Sequence, residues 1–257
     1  SNYTVSNANK FYYDDIYIGT EEIDETPPVC IDVSVLSATE IDLQFNEPLE
    51  ELSAQEVSNY TISPTLDIAE ANLDEINTSV VHLNLAEALL NGAAYTLNIE
   101  NIEDLEGNSS QSQSFDVSYL VGEIPEHGDV IITEIFPDPS PSVGLPAIEF
   151  IEIFNTSDKI FDLSEWKIED ASSDGTIQEG WLLPNSYGVL TATANIDSFQ
   201  SSYPVTSFPS LNNAGDSLKL YNSNGLILDE VNYTDEWSQD ESKASGGYTL
   251  ERINLID

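Results

Sequence analysis

Apolar residues in this chain recur at every second position in short runs, and Gly, Pro, Asn and Asp break the runs at close intervals. This is the strand period, while helical spacing is weak throughout. In Ile41–Phe45, for example, Ile41, Leu43 and Phe45 share one face and Asp42 and Gln44 the other. The pattern predicts strands over Val29–Leu36, Glu40–Phe45, Asn59–Ile62, Ser79–Leu85, Tyr95–Glu100 and Ser112–Leu120. A short helical turn is expected at Ser53–Val57 and a tight turn at Asn91-Gly92. Further on, strands are expected over Asp129–Phe136 and Glu149–Phe154. Ser217–Tyr221 and Leu226–Val231 should form a hairpin across Asn222–Gly225, where Asn-Gly favours the positive φ of a tight turn. Pro137–Pro146 holds too many prolines to lie inside a sheet. Both faces of Glu149–Phe154 carry a carboxylate, so one of Glu149 and Glu152 should sit at a strand end or meet a partner. Trp166, Trp181 and Leu182 are expected in a core.

These runs fall into three parts. Residues 1–20 hold one alternating strand, Tyr12–Ile18, and residues 21–28 (EEIDETPP) form a stiff acidic linker. Residues 29–120 make a first β-sandwich. Residues 121–128 (VGEIPEHG) read as a second linker, and residues 129–257 as a second sandwich. The fold class is therefore all-β, with two sandwiches in tandem and an extra N-terminal strand.

Composition narrows the function. At 257 residues and 40% apolar, the chain suits two domains with real cores. Six Lys and Arg face 47 Asp and Glu, a net charge of −41, and no Lys or Arg occurs between Phe11 and Asp158. Such a surface repels the phosphates of nucleic acid and the headgroups of anionic membranes. It suits either a solvated surface adapted to salty water or divalent-cation binding at a few carboxylate clusters. Cys30 is alone, so no intramolecular disulfide staples the fold. No run of apolar residues is long enough to span a membrane as a helix. Ser1, in a chain without Met or a signal peptide, reads as the start of a fragment rather than of translation.

Catalytic chemistry needs a nucleophile, a base or a metal cage. His82 alternates with Val81 and Leu83 in a strand, and His127 lies in a linker. Neither has a second His or Cys at zinc-ligand spacing. There is no nucleophile elbow, and Ser245 lacks the strand-to-helix context of one. The chain is not expected to be an enzyme. Calcium, which takes six to eight oxygens, is the cofactor its carboxylates suit best. Glu22, Asp24 and Glu25 are candidate ligands if they meet the Asp104–Asn108 loop; otherwise they are a solvated linker. Trp237 follows the acidic turn Thr234-Asp235-Glu236 and is the tryptophan most expected at the surface, where it could stack on a sugar.

Three resemblances sharpen this reading. GDVIITEIFPDPSPSVGLPAIEFIEIFN at Gly128–Asn155, DLSEW at Asp162–Trp166, the Asn212–Trp237 stretch and YTLERI at Tyr248–Ile253 together resemble a bacterial lamin-tail domain. The departure is an extended acidic tip at Glu169–Glu179. TPPVCIDVSVLSATEIDLQFNEPLE, NYTIS and GAAYTLNIENIEDLEGN resemble the bacterial immunoglobulin-like repeats of surface-layer and other extracellular proteins, FNEPL and DLEGN being the best marks. FYYDDIYIG at Phe11–Gly19 resembles the closing strand of jelly-roll lectin or carbohydrate-binding domains, which implies that Asp14 or Asp15 binds structural calcium. The resemblances imply two immunoglobulin-like sandwiches in a large secreted or cell-surface bacterial protein. The combination is similar to multidomain surface proteins of the Bacteroidetes lineage, many of which carry a type IX sorting domain; none is visible here.

The expected role is a non-catalytic module that spaces or presents neighbouring domains. Its partners would be domains of the same polypeptide or other surface proteins, with polysaccharide a further candidate, outside the cell or on its outer surface. A calcium-dependent carbohydrate-binding or adhesin module is one alternative. An extracellular filament subunit that exchanges its N-terminal strand is another.

Overall fold

The computed structural model describes residues 24–237 and 246–255. The Tyr12–Ile18 strand, with Asp14, Asp15 and Glu22, lies outside the described residues. Two compact units are present, one built on the residues up to Glu87 together with Thr96–Asp116, the other on Ala88–Tyr95 and the residues from Val117 onward.

The first seven strands are β1 (Cys30–Ser37), β2 (Glu40–Phe45), β3 (Tyr60–Ser63), β4 (Ile68–Leu73), β5 (Val80–Leu85), β6 (Ala94–Ile99) and β7 (Gln113–Ser118). They form two sheets, ordered β1-β2-β5-β4 and β3-β6-β7. Strict alternation drives the burial. In β2, Ile41, Leu43 and Phe45 are buried, and in β5 Val81, Leu83 and Leu85. With Leu97, Ile99 and Ile102 they fill the first core. The Gln113 side-chain amide ties the two sheets, accepting from the Cys30 N–H at 2.9 Å and donating to its carbonyl at 3.1 Å. Cys30 is buried, and loss of solvation pushes its thiol up to about 11. The helical turn falls at Glu51–Ala54, earlier than its expected place, because the Glu50 carboxylate caps it by accepting from the Ser53 N–H at 2.8 Å. A separate 3-10 turn covers Val57–Asn59.

The second unit is built on β8 (Val130–Phe136), β9 (Phe150–Asn155), β10 (Phe161–Asp162), β11 (Lys167–Glu169), β12 (Asp174–Ile177), β13 (Trp181–Leu182), β14 (Tyr187–Ala192), β15 (Ser202–Thr206), β16 (Gly215–Tyr221), β17 (Ile227–Thr234) and β18 (Leu250–Glu251). Nine of these form one curled sheet in the order β17-β16-β11-β12-β15-β14-β9-β8-β18, and β10 pairs with β13. Val130, Ile132, Ile151, Ile153, Phe161, Trp166, Ile168, Leu190, Leu218 and Tyr233 belong to one continuous core. Glu149 precedes β9 and accepts from the Leu211 N–H, and Glu152 accepts from the Thr133 hydroxyl at 2.7 Å, so each carboxylate has its partner. Leu182 and Trp166 are buried, but Trp181 is only half-buried: in the two-residue β13 the neighbouring side chains point to opposite faces. The acidic tip closes as a hairpin of β11 and β12 around buried Asp170, which accepts from the N–H groups of Ser172 and Ser173. The Tyr203 ring lies between Gly180 and Gly188, where any Cβ would strike it.

Within Val121–Gly128, the expected second linker, two backbone N–H groups pair with backbone carbonyls. The Glu123 N–H donates to the Ile160 carbonyl at 2.8 Å and the Gly128 N–H to the Leu228 carbonyl at 2.9 Å. The Lys159 ammonium pairs with Asp129 at 2.8 Å.

Candidate functional site

Three carboxylates converge at one end of the first sandwich. Asp24, Glu47 and Asp104 each present an oxygen within 4.8 Å of the others. Backbone pairing explains the convergence. Where β2 ends, the Asn46 N–H donates to the Val29 carbonyl at 3.0 Å, and the Asn46 side-chain oxygen accepts from the Val29 N–H at 2.7 Å. This pins the segment leading into β1 beside Glu47. The Glu50 N–H donates to the Glu103 carbonyl at 2.8 Å, bringing up the loop that carries Asp104. Asn108 closes the site. Its side-chain N–H₂ donates to the Asp24 carbonyl at 2.9 Å and to the Asp104 carboxylate at 2.7 Å. The FNEPL and DLEGN segments therefore form a single structure.

The three groups differ electrically. Burial works to raise the Asp104 carboxyl, but hydrogen bonds from Asn108, Glu106 and Gly107 outweigh it, and the carboxyl lies below its ordinary range. Glu47 moves the other way, raised first by loss of solvation and then by the charges of Asp24 and Asp104. Ionised Glu47 thus faces two carboxylates that it repels, the arrangement a cation relieves. The donor set fits a hard, oxygen-loving cation. Among the described residues, Asp24 and Asp104 are the two sequence candidates that meet, and Glu25 is not part of the group. Glu47 had no signal of its own in the sequence beyond its place in FNEPL.

A second cluster lies on the outer face of the β2-β5-β4 sheet. His82 Nδ1 is 2.7 Å from the Asp42 carboxylate, its register neighbour on β2, and Nε2 is 3.2 Å from Asp74. Asp74 also caps its own loop, accepting from the N–H groups of Ile76 and Asn77. The bond to Asp42 and the two negative charges raise the His82 imidazole above its ordinary value against the effect of burial. Both ring nitrogens are satisfied, so His82 holds strands together.

Comparison with known proteins assigns both units. Residues 22–119 match the family described as Bacterial Ig-like domain, and residues 124–235 match the family described as Lamin Tail Domain. Residues 22–119 are a bacterial Ig-like domain and residues 124–235 a lamin tail domain. No curated protein matches it significantly. Among solved structures it is similar to the N-terminal part of the bacterial S-layer protein SbsC, at 11% identity and a TM-score of 0.36, over 81% of this chain and 44% of that one. It thus spans under half the length of that structure. It is also similar to an L,D-transpeptidase from Mycobacterium smegmatis, at 12% identity and a TM-score of 0.25, over 70% of this chain and 87% of that one. The CupB2 chaperone of Pseudomonas aeruginosa matches at 12% identity and a TM-score of 0.25, over 80% and 92%.

Within the lamin tail domain, the motif residues do structural work. A β-bulge at Thr133 interrupts the β8–β9 ladder. On the far side of β8, the Ile132 N–H donates to the Asp229 carboxylate at 2.7 Å. Arg252 from YTLERI reaches the same carboxylate at 3.3 Å, and its own N–H donates to the Thr133 carbonyl at 2.7 Å. Asn155 is fully buried; its N–H₂ donates to the Lys159 and Leu183 carbonyls while its oxygen accepts from Ser157. Trp237 is 52% exposed at the end of β17. It belongs to the second unit.

Proposed function

We propose that this chain is a non-catalytic structural and interaction segment of an exported bacterial protein, spacing or presenting neighbouring domains at the cell surface. The pairing of two sandwich families, each folded around its own apolar core, carries the reading. Two compact units suit that role. The dense negative charge keeps them soluble and apart from nucleic acid and anionic lipid. Immunolabelling of intact cells that express the parent protein tests the location. Labelling without lysis is expected; a signal that appears only after lysis overturns the reading.

The convergence of Asp24, Glu47 and Asp104 favours a second property, a calcium ion at the end of the Ig-like domain. These carboxylates, with Asn108 and water, would supply its oxygens. It would brace the segment entering β1 against the Asp104–Asn108 loop. Calorimetric unfolding at fixed ionic strength checks it. Calcium should raise the unfolding temperature of the Ig-like domain more than magnesium does, and Glu47→Gln should abolish the difference. Equal shifts with calcium and matched sodium would leave only a solvated cluster.

A further inference from the structure

A groove of about 890 Å³ opens in the lamin tail domain between β8, β17 and β18. On β17 and β18, consecutive residues line it: Glu230 and Val231, Leu250 and Glu251. Neighbours along a strand point to opposite faces. A cleft lined by both must therefore run along strand edges rather than over a sheet face. The topology agrees. β17 is the last strand of the nine-stranded sheet at one end, laddered with β16 and bonded beyond that ladder to Gly128 at Leu228, and β18 is the last at the other, joined to β8 through two residues. Edges of this kind are where an added strand docks.

The walls select the occupant. Ile132, Ile135, Val231 and Leu250 supply apolar lining, while Asp138, Glu230, Asp235, Glu236 and Glu251 bring five carboxylates to it. Among the described residues the one cation in the lining, Arg252, is held by Asp229. Trp237 stands half-exposed at the rim, an aromatic face of the sort that attracts ammonium and guanidinium groups. A second copy of this chain, at a net charge of −41, would be repelled. A neutral sugar would stack on a face and leave the carboxylates unanswered. We propose that this groove receives an extended peptide segment, bearing lysine or arginine, from another protein, added as a strand beside β17.

The test uses the whole chain and a ten-residue peptide of alternating Lys and Thr, with a Gln-Thr decamer and a neutral glucan oligosaccharide as comparisons. Calorimetric titration at low salt should show one site for the Lys peptide and at least tenfold weaker binding of the Gln peptide. The Glu230→Gln/Glu251→Gln double variant and Trp237→Ala should each weaken the Lys peptide about tenfold. Glu70→Gln/Glu75→Gln in the Ig-like domain should leave it unchanged. Amide exchange over Glu230–Thr234 should slow in the complex, which bulk ionic association would not cause. Equal weakening by the Ig-like domain variant, unchanged exchange in β17, or binding of the oligosaccharide in place of the peptide would each overturn the proposal.

Discussion

At the scale of single residues, buried polar side chains decide more than their number suggests. Asp229 is 7% exposed and serves two groups at once, the N–H of Ile132 on β8 and a guanidinium. Asp229→Ala would orphan both. Such losses cost about 2–4 kcal/mol, so chemical denaturation should show a drop of that size for the lamin tail domain and none for the Ig-like domain. His82 makes a smaller and pH-dependent contribution. Its folded imidazole is raised, so its stabilisation is fully present below the unfolded value and fades as pH climbs through the folded one. The side chain is 39% exposed and therefore screened, which holds the effect under about 1 kcal/mol. The Ig-like domain should lose stability on passing upward from about pH 6.5, the ordinary histidine value. In His82→Gln that slope should be gone; an unchanged slope would point to other groups.

At the scale of elements, register places charges the sequence leaves apart. Glu134 on β8 lies opposite Glu152 on β9 and opposite Glu251 on β18, a row of three carboxylates across three strands. Loss of solvation and these two charges raise the Glu134 carboxyl, against a hydrogen bond from Thr249. Like charges directly opposite cost about 0.2–1 kcal/mol, so Glu134→Gln should stabilise the lamin tail domain by that amount at neutral pH. The gain should shrink as acid protonates the native carboxyl; an uncharged variant that is less stable at pH 7 would refute the repulsion.

The same logic explains what could be read in advance. Strands with clean alternation, such as Glu40–Phe45, Val80–Leu85 and the Asn222–Gly225 hairpin, were legible because one face must be buried. Ile68–Leu73 was not, since only Ala71 of its apolar residues is buried and its period is blurred. Two- and three-residue strands such as Phe161–Asp162 have no period to read. Asp24 and Asp104 were visible as candidate partners from the loops that carry them. Glu47 was not, because only the Asn46–Val29 pairing puts it beside them.

At the scale of the whole molecule, 47 acidic groups against six basic ones make self-repulsion a general load on folding. The screening length falls from about 10 Å at 0.1 M to about 3 Å at 1 M salt. Unfolding temperatures of both domains should rise by a few degrees across that range in sodium chloride, and a flat response would show that the charges are already spaced beyond mutual reach. A different property follows from the end of the lamin tail domain. The first strand of its sheet, β8, pairs with the last, β18, and the two run antiparallel. The chain enters at Val130, and as it leaves, Arg252 binds back to Thr133, toward that same end of β8. Tension applied through these two points would therefore peel the strands apart one hydrogen bond at a time rather than shear them together. The clip between Arg252 and Asp229 sits where that peeling must begin, so a surface tether made of such domains would yield softly there, as a mechanical fuse.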